Sequence, residues 1–403
     1  MLLETRRILL TAFEHDMDTP SGAARIAFDV GQYLANQGHD VWIVARATSP
    51  DALEHEYIHN LHLLRYRIPK FHPLDPRRAW VHRAATKAIL RRWVPGQVHL
   101  VHGHAPLSYL AACEFYGDQA TNCYTAHSPL AREMDLTWPK TGLMNRLRRS
   151  VGLRWLDRIE RDCLEKSDRV TVLSSYTNKL LQEIQGADLT SGIAVIPGWV
   201  DLDRFRIIED RQVAKRSLGW PESVPVFFTL RRLVNRMGLD ILLRACKTIR
   251  ESGLEFQVMI GGGGPLRDSL EELSRELGLQ QHVRFLGRVD SAVVPLMYGA
   301  CDAFVLPTSQ LECFGLIAIE ALACGRPVLA TRVGAIPEML EKVESRWMAK
   351  SANDRDLAAL LASFLGGDLP MHTARELRSF VKTHYDCQVV LPRLADFMLS
   401  KVA

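Results

Sequence analysis

A chain of 403 residues, 47% hydrophobic and 24% charged, holds enough apolar material for two packed cores at about 100–200 residues per domain. Its net charge of +4 is too small to indicate a nucleic-acid domain, which carries a denser basic face, so no nucleic-acid partner is expected. The eight cysteines are scattered with no Cys-x-x-Cys pair, which excludes a zinc cluster or disulfide framework and points to reduced thiols.

From the N-terminus, Met1-Leu2-Leu3-Glu4-Thr5-Arg6-Arg7 runs straight into a strand-like stretch, without the apolar core and cleavage site of a signal peptide. No apolar run is long enough to cross a bilayer, so a cytoplasmic protein is expected. Arg7 to Phe13 reads as a buried strand. Ala23, Ile26, Ala27, Val30 and Leu34 then recur at helical spacing, and Gly38 stands where a glycine stops a helix. Further strands are expected at 41–45, 61–66, 98–102, 122–126, 169–173 and 193–196. The pattern restarts with a strand at 225–230, a helix at 239–249 and a strand at 256–260. Strand–helix pairs follow at 283–299, 303–324 and 328–340, and a last helix at 388–401. Such alternation builds parallel sheets covered by helices. The predicted fold class is α/β, with two Rossmann-like domains facing across a cleft: 1–200, 201–385, and a C-terminal helix in 386–403 that returns to the first domain. Ligands of open α/β sheets sit beyond the carboxyl ends of the strands, so motifs there carry most weight.

The strongest such motif runs from Pro307 to Pro327. A strand ends in a polar loop, and a helix starts near Phe314 or Gly315 and stops at Gly325-Arg326-Pro327. The helix start offers free N–H groups and a positive dipole end, which suits a phosphate, and Gly315 lets the backbone approach closely. Glu312 lies in the loop and Glu320 about one and a half turns into the helix, so the two carboxylates reach different hydroxyls. Thr229 to Asp240 is a second strand end, with Arg231, Arg232 and Arg236 as candidate ligands of a diphosphate. The run Gly261-Gly262-Gly263-Gly264-Pro265 lacks Gly-Lys-Ser/Thr and does not complete Gly-x-Gly-x-x-Gly, so it predicts only a tight turn. In the first half, Pro20-Ser21-Gly22 opens a helix, and His127 follows a strand.

The pairs Asp16/Asp18 and Asp201/Asp203 look like metal ligands, but the second falls at the domain link and reads as a turn. His99, His102 and His104 lack carboxylate or cysteine partners, so no metal is expected. Basic residues concentrate in 77–93, flanked by Trp80 and Trp93, and in 138–169, where Trp138, Leu143, Leu147, Val151 and Trp155 interleave. Both stretches suit an anionic membrane surface, equally a solvated helix with its tryptophans inward.

Taken together these motifs resemble the retaining GT-B glycosyltransferases of family 4, over nearly the whole chain. The resemblance rests on Gly22, Val195-Ile196-Pro197-Gly198 with Val200-Asp201, and Arg232-Leu233-Val234. It continues through Gly261-x-Gly263-x-Pro265, Phe285-Leu286-Gly287-Arg288-Val289, Glu312 and Glu320 at their spacing, and Val333-Gly334-Ala335-Ile336-Pro337-Glu338. It implies that Glu320 holds the donor ribose and Glu312 the transferred sugar. Arg232 and the backbone of Phe314, Gly315 and Leu316 would hold the diphosphate, with Arg236 and Gly263 beside it, and Arg288 and Val289 would lie against the base. Gly22 and His127 would face donor phosphate and sugar from the other domain. Such enzymes need no metal and no cofactor, the nucleotide sugar being a substrate. Two departures stand out: the family usually has lysine where this chain has Met237, and Cys313 replaces a glycine.

The expected function is transfer of a sugar from a UDP- or GDP-linked donor, with retention, to a hydroxyl of a glycan, glycolipid or small molecule. Glu312, His127 and Arg232 are the expected catalytic residues. A nucleotide-sugar epimerase, a phosphorylase, and a non-catalytic sugar-binding protein at a membrane are the alternatives. A protein peripheral on the inner face of the membrane is the expected location.

Overall fold

In the computed structural model, which describes residues 5–14, 22–69, 71, 75, 77–138 and 142–400, the chain divides into two units. Unit 1 is Met1–Ile196 with Leu391–Ala403, and unit 2 is Pro197–Val390.

Unit 1 is built on eight strands: β1 (Arg7–Glu14), β2 (Asp40–Arg46), β3 (His55–Ile58), β4 (Leu61–Tyr66), β5 (Leu100–Gly103), β6 (Thr121–Ala126), β7 (Arg169–Val172) and β8 (Ala194–Val195). Their order is β3-β4-β2-β1-β5-β6-β7-β8, and every pairing is parallel except β3 with β4. Continuous apolar runs suit strands covered on both faces, and Ile8, Leu9 and Leu10 of β1 are wholly buried. Each such side chain stabilises the unit by about 1.5–3 kcal/mol. The helix Gly22–Asn36 buries Ala24, Ile26, Ala27, Val30 and Leu34, the stripe its spacing predicts.

Strand β3 is absent from the sequence expectation. His-Glu-Tyr-Ile is mostly polar and carries no alternation, and its strand state comes from the turn that folds it onto β4. His59 and Asn60 have φ of 47° and 65°, the two positive values of a two-residue hairpin turn. At the other end of the chain, Arg169 Nη1 donates to Met398 O at 2.7 Å and Arg6 Nη1 to Leu399 O at 2.9 Å. Two cations therefore satisfy the last carbonyls of the helix Cys387–Leu399 and oppose its negative dipole end.

Unit 2 has five parallel strands, β9 (Val226–Leu230), β10 (Gln257–Gly261), β11 (Val283–Gly287), β12 (Ala303–Leu306) and β13 (Val328–Ala330), in the order β11-β10-β9-β12-β13. The chain moves outward from β9 to β11, then returns to the far side of β9 as β12. The order therefore reverses between β9 and β12, and beyond the carboxyl ends of those two strands lies the crevice where such sheets bind ligands. All cysteines are free and no described helix is long and apolar enough to cross a membrane. Asp201, one of the acids read as a turn, accepts from the backbone N–H groups of Asp203 and Arg204.

Candidate functional site

The motifs of unit 2 converge on the β9–β12 reversal. Arg231 follows β9, and its N–H donates to Gly261 O at 3.0 Å, extending the ladder one residue past the strand. The chain then makes a short turn at Asn235–Met237 and enters the helix Leu239–Glu251 through Gly238, whose φ is 66°. A Cβ on Gly238 would stand 1.9 Å from Pro307 O, so only glycine lets this loop meet the one after β12. Ser309 N and Gln310 N donate to Arg236 O at 3.0 and 3.3 Å, and Arg236 Nη1 donates to Leu311 O at 3.0 Å. Leu311 itself has φ of 53°, an uncommon value for a side chain of its size. Ala335 N donates to Glu312 O at 2.8 Å, tying in the loop after β13. The backbone of residues 309–312 is thus tied to the loops after β9 and β13 at four points.

The side chain of Glu312 is held as firmly. Its Oε2 accepts from Arg231 Nη2 at 2.6 Å and from Thr308 Oγ at 3.1 Å, while Arg231 Nη1 donates to Thr308 at 2.7 Å. Arg231 Nη2 also lies 2.7 Å from Met237 Sδ. Among the described residues no protein group pairs with Glu312 Oε1. Glu320 is buried within the helix Leu316–Ala323, and Oη of Tyr298 donates to its Oε2 at 2.9 Å. That helix starts at Leu316 behind Gly315, whose φ is 91°, and no side chain caps its first N–H groups. Phe314 packs edge-on against Tyr385.

The remaining expected residues of unit 2 lie around this centre. Arg232, next to Arg231, is exposed, because successive residues of extended chain point to opposite sides. Gly263 O accepts from Leu233 N at 3.0 Å, and Gly262 N donates to Gly287 O at 2.7 Å, which brings the glycine run against the loop carrying Arg288 and Val289. Arg288 is exposed and Val289 half-buried. Sequence reasoning missed Thr308 and Tyr298 and read Arg231 only as one of three candidate diphosphate ligands, whereas its guanidinium is enclosed against Glu312 and Thr308. The doubled arginine after a buried strand was the available signal for Arg231; Tyr298, on another helix, left none.

Gly22 and His127 belong to unit 1. Gly22 is the exposed first residue of its helix, while Pro20 and Ser21 lie outside the described residues, as do Asp16 and Asp18. His127 follows β6 and is half-buried, with its Nε2 3.0 Å from His104 Nδ1. His102 Nε2 is 2.8 Å from Thr125 Oγ, which is 2.7 Å from Thr171 Oγ. Burial pushes His127 down to about 4 and His102 to about 3, and it lowers His104 too, with its neighbouring imidazoles adding to the shift. All three rings are therefore neutral near pH 7. His104 is a neighbour that sequence reasoning set aside together with the other histidines.

Residues 210–379 match the family described as Glycosyl transferases group 1, and residues 20–204 match Glycosyltransferase Family 4. A D-inositol 3-phosphate glycosyltransferase of Rhodococcus erythropolis is 32% identical over 348 residues, 82% of this chain and 76% of that relative. The chain belongs to glycosyltransferase family 4. A second relative of this glycosyltransferase is the GDP-mannose-dependent alpha-(1-6)-phosphatidylinositol monomannoside mannosyltransferase of Mycolicibacterium smegmatis. It is 32% identical over 178 residues, 43% of this chain, and the match spans 46% of that protein. The solved structure of sucrose-phosphate synthase from Thermosynechococcus elongatus superposes with a TM-score of 0.81 at 21% identity, covering 97% of this chain and 98% of that one. The fold of the glycosyltransferase is therefore GT-B.

Gly334 gives a direct check of how tightly the site is laced. Its φ is 61°, and a Cβ there would stand 2.1 Å from Glu312 O. Gly334→Ala should destabilise the glycosyltransferase by about 3 kcal/mol or more, read as a shift of the urea midpoint. An unchanged midpoint would show that the Glu312 loop is free to move.

Proposed function

We propose that the glycosyltransferase transfers a hexosyl group from a UDP- or GDP-linked sugar to a hydroxyl of a glycan, glycolipid or small molecule, with retention and without metal or cofactor. One observation carries this reading: at the β9–β12 reversal a helix N-terminus without a side-chain cap, the exposed Arg232 and the Oε1 of a firmly held Glu312, unpaired among the described residues, share one end of the sheet. The N–H groups and the guanidinium suit the charge that grows on a departing diphosphate, the task a metal ion performs elsewhere. Glu312 Oε1 accepts a sugar hydroxyl, and Glu320 the ribose. No carboxylate takes a nucleophile's role in this reading. The acceptor hydroxyl attacks from the face the diphosphate leaves, and the leaving phosphate takes its proton. The relatives' names, which print GDP-mannose and inositol 3-phosphate, favour a GDP-linked donor and an inositol-bearing acceptor as the first to try.

A thermal-shift screen with UDP-glucose, GDP-mannose and ADP-glucose tests the donor, since a ligand that binds only the folded state raises its melting temperature. Turnover with retention, measured on the productive donor in the presence of EDTA, tests the rest. Inversion at the anomeric carbon, or activity lost to EDTA, would sink the mechanism.

The reading extends to a membrane surface. On the helix Leu143–Glu165, Leu147 and Val151 are 62% and 61% exposed and share a stripe with the exposed Arg154 and Arg158. The stretch 77–93 contributes less. Trp80 is exposed and Trp93 turns inward to Glu54, but Arg83 and Lys87 are paired with Glu114. Anionic liposomes should carry the protein upward in flotation at low salt and release it at high salt, and Leu147→Glu with Val151→Glu should abolish the effect. Equal flotation of that variant would remove this face from the contact.

A further inference from the structure

We propose that Arg231 is a positioning residue for the donor sugar, acting through Glu312, and that it takes over at this corner of the site the positive charge that family 4 usually places at residue 237. The inference rests on the donor-binding reading above and deepens it.

Arg231 is ill placed to bind phosphate itself. Its side chain is 4% exposed, with Nη1 bonded to Thr308 and Nη2 to Glu312 and Met237. A guanidinium is flat and its donors point in fixed directions, so these partners hold it in one orientation. What it controls is the carboxylate. With Oε2 clamped by Arg231 and Thr308, the plane of the Glu312 carboxylate is set, and Oε1 projects in a single direction. A hydrogen bond to a sugar hydroxyl then forms without the cost of freezing that rotation. The neighbouring Arg232 faces the other side of the chain, so two adjacent arginines divide the work, one for phosphate and one for sugar.

Met237 belongs to the same arrangement. Its sulfur, a weak acceptor, shares Nη2 of the guanidinium with Glu312 at 2.7 Å and brings no charge of its own. An ammonium at 237 would meet the guanidinium as a like charge. With Arg231 gone, the same ammonium would find the abandoned Glu312 carboxylate. The residues at 231 and 237 are therefore coupled, and a lysine at 237 is tolerated only when 231 is uncharged.

The test compares affinity for a nucleotide sugar with affinity for the matching free nucleoside diphosphate, GDP-mannose against GDP and UDP-glucose against UDP, by calorimetry. The variants are Arg231→Met, Arg231→Lys, Met237→Lys and the exchange Arg231→Met with Met237→Lys, each checked for folding by circular dichroism. In Arg231→Met the ratio of nucleotide-sugar to nucleoside-diphosphate Kd should rise roughly tenfold or more, with the diphosphate Kd itself held within about threefold. Met237→Lys should raise the ratio, and the exchange should bring it back toward wild type even if Arg231→Met alone folds poorly. Equal weakening of nucleotide sugar and nucleoside diphosphate in Arg231→Met or Arg231→Lys would make Arg231 a phosphate ligand or a general support and overturn the inference alone. So would a neutral Met237→Lys joined to an exchange variant that recovers nothing. Wild-type protein that binds none of these nucleotides would overturn the donor reading, and the inference with it.

Discussion

Glu312→Gln should lower kcat/KM for transfer by about 10²–10³ while lowering the melting temperature less than Glu312→Ala does. The amide keeps the shape of the carboxylate, and its oxygen still accepts from Arg231 and Thr308. What it removes is the negative charge beside the sugar. The more obvious Glu312→Ala is the poorer experiment. It leaves Arg231, which is enclosed at 4% side-chain exposure, without its counter-charge and also without the acceptor that a glutamine oxygen keeps, and breaking a buried pair in that way costs about 3–5 kcal/mol. Lost activity in the alanine variant would then mix chemistry with unfolding. Steady-state kinetics on the glutamine variant, with a melt recorded on the same preparation, separates them. A rate within about threefold of wild type would remove Glu312 from the reaction.

Glu160→Gln should stabilise the protein at pH 7 and leave it unchanged near pH 4.5. Glu160 sits fully buried on the helix Leu143–Glu165, where its Oε2 accepts from Leu130 N at 3.2 Å and its Oε1 has no partner among the described residues. Burial pushes its pKa from 4.5 up to about 8, with nearby Asp157 adding to the rise and the Leu130 N–H opposing it. Between those two values the unfolded chain is ionised while the folded unit keeps the proton. The folded state binds more protons there, so stability falls as pH rises through this window. By pH 7 the accumulated cost is about 3 kcal/mol, at 1.36 kcal/mol for each pH unit above 4.5. Glutamine mimics the protonated acid and removes that cost, which corresponds to a rise of roughly 6 °C or more in melting temperature for a unit of this size. Melting curves of both proteins from pH 4.5 to 8 should converge at the acid end and separate toward the alkaline end. Curves that stay parallel would show that Glu160 is ionised in the folded protein.

The residues that make strands and helices here act locally, and for that reason they were legible. Ile8-Leu9-Leu10 reads as a buried strand because nothing else fits so many adjacent apolar side chains, and Ala24 to Leu34 reads as a helix because its stripe has the helical period. The alternation of the two predicted the α/β class, and the loops after β9 and β12 stood out because arginine, glycine and glutamate follow buried strands there. The hairpin strand β3 escaped, since its state depends on His59 and Asn60 adopting positive φ against a partner strand.

The site was legible as an inventory more than as an arrangement. The sequence by itself determined that Glu312, Gly315 and three arginines would stand in loops that follow strands of one α/β unit, with Glu320 in the helix beyond, since spacing along the chain suffices for that. Only the tertiary structure decided which arginine meets Glu312. Residues 231 and 312 are 81 positions apart, and they touch because the strand order reverses between β9 and β12. Burial then chose between neighbours: Arg231 turns inward to Thr308, Met237 and Glu312, and Arg232 outward to solvent. A lysine-to-methionine change that looks like a missing charge in the sequence becomes, in three dimensions, an uncharged sulfur against a guanidinium that already supplies it. Ion pairing depends on distance through space, and distance along the chain does not encode it.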